Sequence, residues 1–202
     1  LAFILIFCLW ISNPIFAQDK TNKNTSTKIN MTQLIDEQFK FAVQQYKVLA
    51  KNTPKDRMPK TFDPKTNKSQ TSDTQWWCSG FYPGTLLYMY EYTKDAETRA
   101  EAERRLAILE KEKHFTGNHD LGFMMYCSFG NAYRLFGRPE DKATIDTSAA
   151  SLATRFRPSI KSIQSWDSSS RFKCPVIIDN MMNLELLCWA SDNGADPKFK
   201  EI

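Results

Sequence analysis

Residues 114–136 read HFTGNHDLGFMMYCSFGNAYRLF. From Leu121 onward the run is apolar on most sides, and Gly137 and Pro139 mark a stop and a restart. A helix that is apolar all round must be covered on every side, whereas an amphipathic one is covered on a single side. Directly ahead of this run stand Asn118, His119 and Asp120, and both histidines of the chain lie within the stretch. The scarce titratable ring and a carboxylate thus sit at the entrance of what reads as a buried helix.

The rest of the chain repeats the contrast. Residues 31–50 set Ile35, Phe39, Ala42, Tyr46 and Leu49 on one face of an amphipathic helix. Residues 51–75, rich in Pro, Lys, Thr, Asn and Asp, read as a long loop. Residues 82–92, YPGTLLYMYEY, are apolar nearly all round. Strong helix formers with a heavily charged face fill 96–112. Residues 140–156 are amphipathic again, with Ile145, Ala149, Leu152, Ala153 and Phe156 together. A second long connection, 157–177, contains SIQSW, which offers a short hairpin. Residues 178–190 are once more apolar on most sides; Asn193-Gly194 ends them, and a seventh helix is expected near Asp196-Pro197.

Amphipathic and apolar helices therefore alternate. That predicts an all-α fold, an (α/α)6 toroid of helical hairpins with an apolar inner ring, of which residues 31–202 supply about the first three hairpins. The inner helices start near 82, 121 and 178, too unevenly for a solenoid of equal repeats. A closed inner ring needs more than three members, so a comparable length is expected beyond the final DPKFKEI.

Composition narrows the function classes. A net charge of +4 and a pI near 8.7 are too mild to argue for nucleic acid. Aromatic content of 13% suits either a large core or a cleft for sugar rings. The N-terminal LAFILIFCLWISNPIFAQ reads as a secretory signal over 1–17, too short to span a membrane, with a polar leader over 18–30. Export, most simply to a Gram-negative periplasm, is the expectation. Cys78, Cys127, Cys174 and Cys188 form no CxxC pair and have no histidine at metal-ligand spacing; buried free thiols are expected.

Polar and aromatic residues cluster ahead of each apolar helix: Asp73 to Phe81 with Trp76 and Trp77, then Asn118-His119-Asp120, then Asp179-Asn180. Parallel inner helices would bring the three clusters to one mouth. Taken singly, each aspartate reads as an N-cap worth about 1 kcal/mol. Taken together, two carboxyls in a semi-enclosed site would repel when both are ionised, and one would keep its proton as a general acid. Exposed indoles would stack on pyranose faces.

Three motifs carry a resemblance: Trp77-Cys78-Ser79-Gly80-Phe81-Tyr82-Pro83-Gly84, Asn118-His119-Asp120-Leu121-Gly122-Phe123, and Asp179-Asn180-Met181-Met182-Asn183. In order and spacing they resemble the unsaturated glucuronyl hydrolases, six-hairpin toroid glycosidases, over residues 31–202. The resemblance implies hydrolysis of lyase-generated oligosaccharides bearing a 4,5-unsaturated uronic acid, by hydration of the vinyl ether. It implies Asp179 as general acid and base, and Asp120 as the carboxylate that holds the sugar and keeps the pKa of Asp179 high. It further implies His119, Trp77, Trp166 and Asn180 as substrate contacts, and no metal or cofactor. A rhamnogalacturonyl hydrolase of the same fold and a non-catalytic exported glycan-binding protein are the alternatives.

Overall fold

Charged and apolar residues share the outer helices, while the inner ones are mostly apolar and bury one side in the core. The computed structural model describes residues 30–202; the expected signal 1–17, and the expected leader but for Asn30, lie outside the described residues. Helix α1 (Met31–Asn52) starts at Asn30, whose side chain accepts the Gln33 N–H. It turns Tyr46 and Leu49 onto the core and leaves Ile35 exposed. Helices α2 (Phe81–Thr93) and α3 (Ala96–Leu109) are joined by Lys94 in a left-handed conformation and by Asp95, which caps α3 through the Thr98 N–H.

The second inner segment departs from expectation. Residues Gly122–Gly130 form a π-helix that runs into α4 (Asn131–Phe136), where a single α-helix over 121–136 was predicted. Periodicity cannot separate the two when every face is apolar. Gly137, at φ 64°, ends α4, and α5 (Pro139–Ala153) restarts on its proline. Helix α6 (Asn180–Asp192) follows the long connection, and a short 3₁₀ turn, Pro197–Glu201, stands where a seventh helix was expected.

Residues 51–75 are not a plain loop. They hold an antiparallel hairpin, β1 (Met58–Asp63) with β2 (Lys68–Ser72). The strands are largely exposed, so no apolar alternation announces them. The turn chemistry does: Asp63 accepts the Lys65 N–H and the Thr66 hydroxyl, and Asn67 takes φ 52°. The hairpin offered by SIQSW exists as β3 (Phe156–Arg157) with β4 (Ser162–Ile163).

Three outer–inner pairs result: α1 with α2, α3 with the π-helix and α4, and α5 with α6. Between the layers lie Leu86, Leu106, Met124, Ile145, Leu152 and Leu186, all at most 3% exposed. Each such side chain gives roughly 1.5–3 kcal/mol on burial. Contact between inner segments is close. A Cβ on Gly80 would run into the Met124 carbonyl, and one on Gly122 would lie 2.6 Å from the Asn183 Cα. On their far side the inner helices face a hollow of about 400 Å³ lined by Tyr88, Tyr126, Arg134, Glu185 and Trp189. Complete cover of the inner helices was expected, yet Tyr88, Met181 and Met182 are exposed. The four cysteines among the described residues are free, as expected, but half-buried at Cys78, Cys127 and Cys174 and exposed at Cys188, which follows Met181 and Glu185 along the open face of α6.

Candidate active site

The three sequence clusters meet at the starts of the inner helices. The loop before the π-helix is tied to the connection before α6: the His119 N–H donates to the Ser165 carbonyl at 2.9 Å, and Asn118 pairs with Trp166 in an isolated β-bridge. Arg155, 3% exposed after the end of α5, fixes both strands of this junction. Its guanidinium donates to the Thr116 carbonyl and, at 2.7 Å, to the Gln164 carbonyl.

On that support His119 is almost fully buried, at 2% exposure. Its Nε2 lies 3.5 Å from Asp120 Oδ1 and 3.7 Å from Asp179 Oδ1. Its Nδ1 lies 2.7 Å from Asn180 Oδ1. The Asn180 amide also donates to the Ile163 carbonyl at 2.5 Å, and the residue is buried. Both ends of the Asn180 side chain thereby make a hydrogen bond within the protein.

Neither aspartate serves as the cap that its position suggests. Asp179 stands at the N-cap of α6, but its side chain makes no capping bond, and its Oδ1 is buried without a hydrogen-bond partner. Asp120 has its own N–H satisfied by Asn118 Oδ1 at 2.9 Å. The inter-helix tie comes instead from Asn183, to which the sequence reading gave no role. Fully buried, it accepts the Phe123 N–H at 2.9 Å. A buried asparagine one turn into an apolar helix was the available signal. Arg155 and Gln164 were likewise missed, since nothing in the spacing of 155–165 reveals which carbonyls they meet.

The aromatics rim the same end. Trp77 is 45% exposed and stands edge-on to Phe81 and Phe123, with ring centroids 6.0 and 5.8 Å away. Trp166 is 42% exposed. The second histidine, His114, is exposed at the end of the 3₁₀ turn Glu110–His114.

Burial pushes the Asp120 carboxyl above the usual carboxylate range; Asp179 adds to the rise, while His119 and Arg155 pull it back. Cys78 is raised to about 11, by burial first and by Asp120 second, which makes it an unreactive thiol. His119, Asp120 and Asp179 each offer one ligand atom within a 4.8 Å span, so the trio could hold a cation as well as a shared proton.

Helical hairpins whose inner helices begin around paired carboxyls, an imidazole and open indoles form a site suited to sugar chemistry. Comparison with known proteins narrows this. No protein-family model matches the chain. It is 40% identical over 130 residues to an unsaturated glucuronyl hydrolase of Formosa agariphila, covering 62% of this chain and 32% of that one. It is 32% identical over 167 residues to the unsaturated glucuronyl hydrolase of Bacillus sp. strain GL1, covering 77% and 43%. The crystal structure of an unsaturated glucuronyl hydrolase specific for heparin superposes with TM-score 0.75 at 37% identity, over 81% of this chain and 43% of that one. By sequence and by fold the chain is similar to part of the unsaturated glucuronyl hydrolases, and it spans less than half the length of these relatives.

Proposed function

We propose that the protein releases a 4,5-unsaturated uronic acid from the non-reducing end of lyase-generated oligosaccharides by hydrating the vinyl ether. The observation that carries this is the convergence of Asp120 and Asp179, from two different inner helices, on Nε2 of one buried histidine. In this reading the Asp179 carboxyl gives its proton to C4 of the enol ether, and positive charge develops at C5 beside the ring oxygen. Water adds to C5, and its proton returns to the Asp179 carboxylate. The hemiketal then opens and the glycan leaves as an alcohol. Asp120 and His119 hold the sugar, and Trp77 and Trp166 stack on it. Similarity to the unsaturated glucuronyl hydrolases supports the reaction class, and the heparin specificity of one relative makes an unsaturated heparin disaccharide the first substrate to try. Export to a periplasm is proposed with it, on the N-terminal apolar run alone.

The test is Asp179→Asn. Turnover, followed as loss of the ultraviolet absorbance of the conjugated acid, should fall by at least about 10²–10⁴-fold, the scale of general acid–base catalysis. A glycan-binding protein would show no turnover in either form and would keep its affinity. A rhamnogalacturonyl hydrolase would lose turnover in the same way, but only on its own unsaturated substrate.

A further inference from the structure

We infer that Asn180 is a positioning residue that holds the neutral His119 ring as its Nδ1–H tautomer, so that Nε2 faces Asp120 and Asp179 as a lone pair able to share one further proton with them. The inference rests on the proposed function only for its catalytic consequence.

The amide orientation settles the tautomer. Asn180 stands 2.5 Å from the Ile163 carbonyl and 2.7 Å from His119 Nδ1. A carbonyl oxygen accepts and cannot donate, so the NH₂ end of the amide must point at Ile163 and the oxygen at the ring. The reverse orientation would set two acceptors against each other inside a buried site. An acceptor at Nδ1 requires an N–H there. The neutral ring then carries its lone pair on Nε2, between two carboxyl oxygens at 3.5 and 3.7 Å.

Three acceptors facing one another repel unless a proton, a water hydrogen or a cation lies among them. A proton can sit on Nε2 or on either carboxyl; the count is the same. Without the Asn180 oxygen, the ring could move its own proton to Nε2 and satisfy the carboxylates with one proton fewer. The other charged or titratable groups around the trio are Arg155 beyond α5 and Cys78 before α2, with Asp167 3.3 Å from Arg155. None of them supplies an acceptor at Nδ1. For the proposed reaction, the stored proton is the one delivered to the alkene.

The test is ring-nitrogen NMR of the histidines, which needs no substrate and so stands apart from the activity assay. The chain has two histidines, and His114→Gln assigns the signals. Wild-type His119 should show a protonated Nδ1 at every pH at which the ring is neutral. Asn180→Leu should shift it toward the Nε2–H form and weaken uptake of the additional proton about tenfold, roughly one pH unit. Asn180→Asp keeps an acceptor at Nδ1 and should retain the tautomer. Both variants lose the bond to Ile163, so damage from that loss appears in both. In turnover, Asn180→Leu should move the alkaline limb of kcat to lower pH with little change in KM. A neutral wild-type ring protonated at Nε2, or an Asn180→Leu ring that keeps its Nδ1–H, overturns the inference.

Discussion

Asn183 of α6 accepts the backbone N–H of Phe123 across the gap between two inner helices, at 2.9 Å. One side chain thus does what a local cap does elsewhere, and in doing so it fixes the starts of both helices relative to each other. Its amide also reaches the Asp179 carbonyl at 3.3 Å, one turn back. Asn183→Ala leaves a buried donor unpaired, which costs about 1–3 kcal/mol. The urea midpoint should drop accordingly. Asn183→Asp, which keeps an acceptor, should recover part of the loss. Equal midpoints for wild type and alanine variant would mean that the tie is dispensable.

Gly80 makes a second demand of this kind. The Met124 carbonyl occupies the place where a Cβ would go, and backbone cannot swing aside as a flexible side chain can. Gly80→Ala should therefore force α2 away from the π-helix, at roughly 1–3 kcal/mol of overpacking. Trp77 and Cys78 lie just before this contact, so turnover should fall more than the residual folded fraction explains. A variant with unchanged thermal midpoint and rate would show that the two segments can part freely.

The helix alternation was legible because burial on one side or on all sides writes itself into composition: 31–50 and 140–156 against 82–92 and 178–190. The gathering of His119, Asp120 and Asp179 followed from placing three polar clusters at inner-helix starts. What stayed hidden was decided by backbone. The β1–β2 hairpin has exposed strands and betrays itself only through the turn after Asp63. The π-helix has the same apolar surface as an α-helix. Asn180 reads as a polar residue beside a catalytic one; only the distances to His119 and Ile163 show that its two polar ends are taken.

Trp166 supplies a test of the sugar platform. Its backbone pairs with Asn118, while its ring is 42% exposed. Truncation should leave the strand pairing in place and remove only the ring. Under the proposed function, Trp166→Ala should raise KM about threefold to tenfold, the worth of one stacking contact, with kcat nearly unchanged. A fall in kcat at constant KM would instead tie Trp166 to the transition state or to the seating of His119.

Asp120 sets the pH dependence of stability. Burial is the main cause of its raised proton affinity, and its side chain is only 13% exposed. In the unfolded chain the same carboxyl ionises near an ordinary value of about 3.9. Between that value and the higher native one, the folded protein binds more protons than the unfolded chain. Stability from this group is therefore complete at the acid end, declines as pH rises through the window, and stays reduced above it. Asp120→Asn has nothing to ionise there. Its urea midpoint should fall behind that of the wild type, or at best match it, at acid pH, and should gain on it steadily toward neutrality. Two curves that run parallel across the whole range would mean that Asp120 ionises as easily in the folded site as in water.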